Sequence, residues 1–267
     1  MKKAAVNFGN VSKAYAKGRN DLPADVIPRL THRGTKLRGN TVVDLGAGSG
    51  VLSRELSKSG ARVYGVEPSK EMIEEAVRLE EERSGPVKYI QEYAEDTRLP
   101  GKMADTVTVL RAWHWMNTTA ASKEVKRLLK PGGEFLVMDS GFSKRSPLLQ
   151  ATFRIVESHM TSGKAAPAGS KAYSKQFIHS FPVEWFEEWK NASFDLQETF
   201  KWPYDVAFTA DTWCDRVASL SWLAAMNESQ REAALAELKQ YMNETYALDT
   251  VHTIAHNFYV ARLRVDA

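Results

Sequence analysis

The first half of the chain alternates short β-branched apolar runs with amphipathic stretches of helical period. Thr41-Val42-Val43-Asp44-Leu45 is the clearest run, and it predicts a strand ending at a glycine cluster. A helix over about 52–59 and a second strand over 62–66 follow. Ser69 is placed to cap a helix running to residue 83, with Glu71 in the first turn, where the positive end of the helix dipole favours an acid. Further strands are expected over 87–92 and 106–111, then a helix over 122–129 that stops at Pro131-Gly132-Gly133, then a fifth strand over 134–139. Strand and helix alternating with short links from 41 to 139 predict an α/β fold, a parallel sheet covered by helices on both faces.

After Asp139 the pattern changes. A helix is expected over 147–159 and a short aromatic one over 182–190, separated by a stretch, 161–175, whose Ser, Gly, Ala, Lys and Pro read as a mobile loop. Residues 194–200 and 251–263 are strand-like. Between them lie helical patterns over 211–226 and 228–242, and Ser229-Gln230-Arg231-Glu232 has capping-box spacing. This half is expected to supply the last two strands of the sheet and an inserted helical cap.

Composition narrows the class. With 267 residues, 43% of them hydrophobic, the chain can bury the core of one large domain or of a domain plus cap. Its mean hydropathy is −0.40, and no stretch approaches the about 18 apolar residues that would span a bilayer, so no membrane partner is expected. Lys2 and Lys3 are followed by no apolar run of the kind a signal peptide carries. The one cysteine, Cys214, can form no intramolecular disulfide, and a reducing, cytoplasmic setting is the expectation. A net charge of +3, with Lys and Arg dispersed, argues against a nucleic-acid partner. No metal is expected: of His114, His159, His179, His252 and His256, the last two are four apart, but in a stretch read as strand rather than on successive helical turns.

The chemistry concentrates at Asp44-Leu45-Gly46-Ala47-Gly48-Ser49-Gly50, where the first strand turns into its helix. Glycines there allow close approach to a ligand, and the helix start offers free N–H groups. Dinucleotide enzymes use such a turn too, but their fingerprint wants a small residue where this chain has Val51, and an apolar strand end where it has Asp44. A carboxylate at that point repels a pyrophosphate and suits ammonium and sulfonium groups. Glu67 ends the second strand 19 residues after Gly48, where an acid can accept hydrogen bonds from both hydroxyls of a ribose.

Val42 to Gly50 resembles the first motif of class I S-adenosylmethionine-dependent methyltransferases, and Gly65-Val66-Glu67-Pro68-Ser69 resembles their second-strand motif. Tyr93 to Pro100 is similar to their adenine-bracketing loop, and Leu129 to Gly133 to the turn before strand five. The resemblance implies a seven-stranded Rossmann-like methyltransferase sheet, mostly parallel with the last strand antiparallel, with an N-terminal helical lid (1–35), a cofactor-binding core (36–140) and an acceptor-binding cap with the last two strands (141–267). It implies S-adenosylmethionine as cofactor, held by Asp44, Gly46, Ala47, Gly48, Gly50, Glu67, Pro68, Met72 on the adenine, Ala94, Glu95, Asp96 on the adenine amine, and Arg111.

Phe8, Tyr15, Arg19 and Pro23, with Arg111-Ala112-Trp113-His114-Trp115-Met116, resemble segments of the branch that includes trans-aconitate methyltransferase, although Asn20 and Leu22 depart from its N-terminal pattern. Tyr15 and Arg19 would then cover the cofactor from the lid. His114, just past strand four, is the candidate catalytic residue, as a general base or as a hydrogen bonder that orients the acceptor. Trp113, Trp115, Tyr173 and Trp202 are the candidate acceptor-binding residues, drawn from aromatics that also include Phe142, Phe177, Tyr204, Phe208, Trp213 and Trp222 and that serve equally as core. The expected activity is methyl transfer to an oxygen, nitrogen or carbon atom of a small molecule by a monomer or homodimer. An RNA or protein methyltransferase and a non-catalytic cofactor-binding regulator are the alternatives.

Overall fold

Seven of the strands join in one sheet: β1 (Thr41–Leu45), β2 (Arg62–Val66), β3 (Lys88–Ile90), β4 (Ala104–Leu110), β5 (Leu129–Phe142), β8 (Phe194–Phe208) and β9 (His252–Val265). A separate two-stranded hairpin pairs β6 (Phe177–Ile178) with β7 (Phe181–Pro182). The computed structural model describes residues 21–81, 87–143, 146–161, 164–165, 169–224, 226–247 and 249–265. Strand order in the large sheet is β3-β2-β1-β4-β5-β9-β8. The pairs β3–β2, β2–β1, β1–β4 and β4–β5 are parallel, and the sheet as a whole is mostly parallel with one antiparallel strand. This is the expected Rossmann-like methyltransferase sheet. Chain direction from β1 reverses between outward steps to β2 and to β4, and that reversal opens a crevice at the carboxyl ends of the two strands.

β1 is buried at every position, as a strand covered on both faces must be. Helix Val51–Lys58 starts from Gly50, and helix Lys70–Glu81 starts where Ser69 Oγ accepts the Met72 N–H at 3.3 Å. The fourth-strand crossover departs from expectation. Its helix begins at Thr118 because Asn117, a residue passed over in the sequence, caps it by accepting the Ala120 N–H at 3.1 Å. Pro131-Gly132-Gly133 does not break the chain before β5 but lies inside it. Ala104 pairs with Leu129 and Thr106 with Glu134, so a bulge with Gly132 at φ +75° absorbs the extra residues.

The chain divides into two compact units. One comprises residues 22–140, 169–202 and 258–265; the other comprises Asp21, 141–168 and 203–257 over their described parts. The first unit holds the sheet core, where Val43, Leu45, Val107, Trp113, Phe135, Trp185 and Trp189 pack together. Helix Val26–His32, which falls in the segment read as a lid, belongs to this unit: Asp25 accepts the Trp202 indole N–H at 3.1 Å, and Arg33 pairs with Glu198. The second unit packs Leu148, Leu149, Phe208, Trp213, Val217, Leu238 and Met242.

The helix expected over 211–226 is two, Ala210–Ala218 and Ser221–Ala224, parted where the Ser219 hydroxyl donates to the Arg216 carbonyl at 2.6 Å. The next helix, Glu228–Thr245, is capped two residues ahead of Ser229: Asn227 accepts the Gln230 N–H at 2.9 Å, and Gln230 accepts the Asn227 N–H at 3.3 Å. Among the described residues no helix is long and apolar enough to cross a membrane.

Candidate functional site

The turn leaving β1 is tied to the end of β2. The N–H groups of Gly46 and Ala47 both donate to the Val66 carbonyl, at 2.8 and 3.0 Å. Gly48 then donates its N–H to Glu67 Oε2 at 2.9 Å, and Ser69 donates its own to Glu67 Oε1 at 3.0 Å. Burial pushes the Glu67 carboxyl above the usual carboxylate range, and the Ser69 and Gly48 N–H bonds oppose the push. Gly46 stands at φ +67°, and a Cβ there would lie 2.5 Å from Ala112 Cβ and 3.3 Å from Met116 Cε. The bare glycine therefore lets the turn lie directly against the segment that follows β4.

Asp44 is 1% exposed. Its Oδ2 accepts the Ser53 hydroxyl at 2.6 Å and its Oδ1 the Thr108 hydroxyl at 2.8 Å. Burial raises its pKa to about 6 despite those two hydrogen bonds, with the Glu67 charge adding to the rise. Sequence reading missed both hydroxyl partners. Thr108 had a signal: it is in register with Asp44 on β4, a polar residue between Val107 and Val109. Ser53 lies on the helix opened by Gly50, which stands at φ +76°.

Met72 is 2% exposed, on the first turn of the helix behind Glu67, while Pro68 is exposed. Ala94 is buried, Glu95 Oε1 accepts the Asn117 N–H at 2.7 Å, and Asp96 is an exposed acid 3.5 Å from Arg98 Nε. Arg111, just past β4, stands at φ +57°, a left-handed backbone seldom taken by a residue with a side chain, and its N–H donates to the Met138 carbonyl at 2.9 Å.

Trp113–Trp115 is a single 3-10 turn beyond that kink. Trp113 is 1% exposed and packs edge-on against Phe135 in the sheet core, so it is a wall of the core rather than an open contact. His114 is half-buried, its ring centroid 4.9 Å from that of the exposed Trp115. Tyr173 is exposed. Trp202 stands apart from the rest: its contacts are Asp25, Arg29, Phe200 and Phe258, which make it a packing residue. Tyr15 and Arg19, with Phe8, lie outside the described residues.

The stretch read as a mobile loop closes with an ordered 3-10 turn, Gly169–Tyr173. Its Lys171 forms an ion pair with Asp139, near the end of β5, and Ser180 Oγ donates to the same carboxylate oxygen at 3.0 Å. Burial alone would raise the Asp139 pKa, but the Lys171 charge and hydrogen bond outweigh it and hold the carboxyl below its ordinary range. Neither residue carried a signal in the sequence, because the pair spans 32 positions.

Residues 43–137 match the model of a methyltransferase domain. A methyltransferase-family protein of Dictyostelium discoideum is 33% identical over 137 residues, 51% of this chain and 50% of that one. The ubiquinone biosynthesis O-methyltransferase of Proteus mirabilis is 29% identical over 163 residues, 60% and 64% of the two chains. The matched part thus spans about half the length of the Dictyostelium relative. Among solved structures, the S-adenosylmethionine-dependent methyltransferase of Thiobacillus denitrificans, in complex with S-adenosylhomocysteine, shares the fold with a TM-score of 0.54 at 18% identity, over 97% of this chain and 98% of that one.

Proposed function

From residues 43–137, a class I S-adenosylmethionine-dependent methyltransferase domain, we propose that the whole chain is an enzyme transferring a methyl group to a small-molecule acceptor. The observation that carries this reading is the Gly48–Glu67 hydrogen bond, formed in a turn that rests against Ala112, two residues before His114. One framework thereby joins a ribose-binding carboxylate to a candidate transfer residue.

The donor set fits the cofactor. Asp44 and Glu67 are both carboxyls whose ionised forms burial disfavours despite two hydrogen bonds each, so both gain from further partners. Ribose hydroxyls and positive charge supply such partners, whereas a pyrophosphate adds negative charge beside them. S-adenosylmethionine brings a methyl group already activated on its sulfonium.

What remains for the chain is to bind, align and exclude water. Glu67 accepts the ribose hydroxyls, Asp96 the adenine amine, and the glycine turn leaves room for the cofactor's approach. His114 faces the acceptor. Where the acceptor is a hydroxyl or a protonated amine, the imidazole takes the departing proton. Where it is a carboxylate, already ionised, the imidazole donates a hydrogen bond that orients it. Dispersed basic residues support a metabolite rather than a nucleic acid as acceptor. The test is transfer of labelled methyl from S-adenosylmethionine to members of a metabolite collection. Transfer that is weakened in kcat or KM in the His114→Ala variant supports the reading, and transfer to bulk RNA alone overturns it.

A further inference from the structure

Asp139 is 8% exposed, and its oxygens are fully engaged: Ser140 N–H donates to Oδ1 at 2.9 Å, and Lys171 and Ser180 donate to Oδ2. The side chains of the Asp139–Lys171 pair are only 12% and 11% exposed. Burying two charges carries a desolvation cost that their attraction does little more than repay, so such a pair is a poor source of net stability. It is better suited to fixing one arrangement of the segments it joins.

The joined segment meets His114. Gly169, two residues before Lys171, stands at φ +60°, and a Cβ there would lie 2.0 Å from the His114 carbonyl oxygen and 3.1 Å from its ring Cδ2. Ser170 Oγ accepts the Trp185 indole N–H at 3.2 Å. Of three consecutive residues, Gly169 thus lies against His114, Ser170 is bonded to Trp185 and Lys171 to Asp139. A protonated His114 would add to the charge that holds the Asp139 carboxyl low.

We propose that Asp139 and Lys171 are positioning residues of the transfer site, their buried pair seating the Gly169–Tyr173 turn on His114 and so fixing the histidine's main chain and ring. The catalytic consequence rests on the reading of His114 given above; the seating itself does not.

The experiment follows the imidazole signals of histidine-labelled protein by NMR, with the His114 signal identified by its loss in His114→Gln. Lys171→Met breaks the pair. Gly169→Ala leaves the pair intact but forces the turn off the His114 carbonyl. Both are expected to move the His114 signal well outside its line width while the signals of His159 and His252 stay in place. The double variant Asp139→Asn/Lys171→Met is expected to displace it no further than Lys171→Met, because no unpaired buried charge is left. An unmoved His114 signal in folded Lys171→Met overturns the proposal, and the same result in the charge-free double variant overturns it if Lys171→Met fails to fold; Gly169→Ala shows that the signal reports the turn.

The measurement needs neither cofactor nor acceptor, so a chain that transferred no methyl would still report on the seating. In a methyl-transfer assay Lys171→Met is expected to lower kcat by about 10–100-fold, the scale of a 1 Å misplacement, with cofactor affinity held within about twofold. Lost turnover with an unmoved His114 signal counts against the proposal.

Discussion

Glu67 accepts the Gly48 N–H at 2.9 Å, and the N–H of Glu67 itself donates to the Ile90 carbonyl at 3.1 Å. One residue thus links the turn after β1, the end of β2 and the end of β3, and its carboxylate is held in a single orientation before any ligand arrives. Losing a charge-assisted contact costs about 1.5–3 kcal/mol, so Glu67→Ala is expected to weaken S-adenosylmethionine by roughly one to two decades. Because burial raises the Glu67 pKa, wild-type affinity should fall on acidification and that of Glu67→Ala should fall less, the remaining loss coming from protonation of Asp44. Calorimetric titrations from neutral pH down to about pH 5 read both effects.

Asp44 gives a prediction of the opposite sign for stability. Its folded pKa, about 6, lies above the ordinary aspartate value of 3.8. Its contribution to folding is therefore fully present below the unfolded value and is lost as pH rises through the folded one. At pH 7 the ionised carboxylate costs about 3 kcal/mol relative to low pH, as an upper figure. Asp44→Asn removes the charge while its amide oxygen still accepts one of the two hydroxyls and its NH2 donates to the other. It is expected to raise the Tm of the ligand-free protein by a few degrees at pH 7, the gain shrinking towards pH 4, while weakening cofactor binding. Thermal unfolding at the two pH values measures the first effect; a lower Tm at pH 7 would contradict the assigned burial cost.

Gly46→Ala places a methyl 2.5 Å from Ala112 Cβ at φ +67°. The left-handed backbone alone costs about 1 kcal/mol for a residue with a side chain, and the contact adds to it. Adding Ala112→Gly should recover the contact part and leave the backbone part. A double variant no more stable than Gly46→Ala in urea unfolding would remove Ala112 as the neighbour that requires glycine.

His114→Gln and His114→Ala separate two chemistries. With a protic acceptor both variants should lose kcat by roughly 10²–10⁴-fold at little cost in cofactor affinity. With a carboxylate acceptor the glutamine variant should keep most of its turnover, and the alanine variant should lose mainly in KM. Near-normal kcat and KM in both variants would reduce His114 to packing.

The parallel core was legible because its signals are local: β-branched runs at Thr41–Leu45 and Arg62–Val66, a glycine turn, an acid at the second strand end, and Ser69 where a helix cap belongs. What escaped depends on residues far apart in the chain. The Ser53–Asp44–Thr108 clamp requires β4 beside β1, and the Asp139–Lys171 pair requires the 169–173 turn to come back to β5. Composition made 161–175 look like a mobile loop, since Lys171 reads as solvated until its partner is known. Pro131-Gly132-Gly133 misled in the other direction, because a bulge can keep such residues within a strand. Among the site aromatics, Trp202 shows why residue type alone cannot separate pocket from core: Asp25, Arg29 and Phe258 enclose it.

Calorimetry of S-adenosylmethionine binding tests the central claim most directly. The account predicts saturable binding at one site per chain in the wild-type protein, weakened roughly 10–100-fold in Glu67→Ala with the fold intact, and weaker binding of NADH than of S-adenosylmethionine. Wild-type affinity in folded Glu67→Ala, or NADH binding tighter than S-adenosylmethionine, would contradict it.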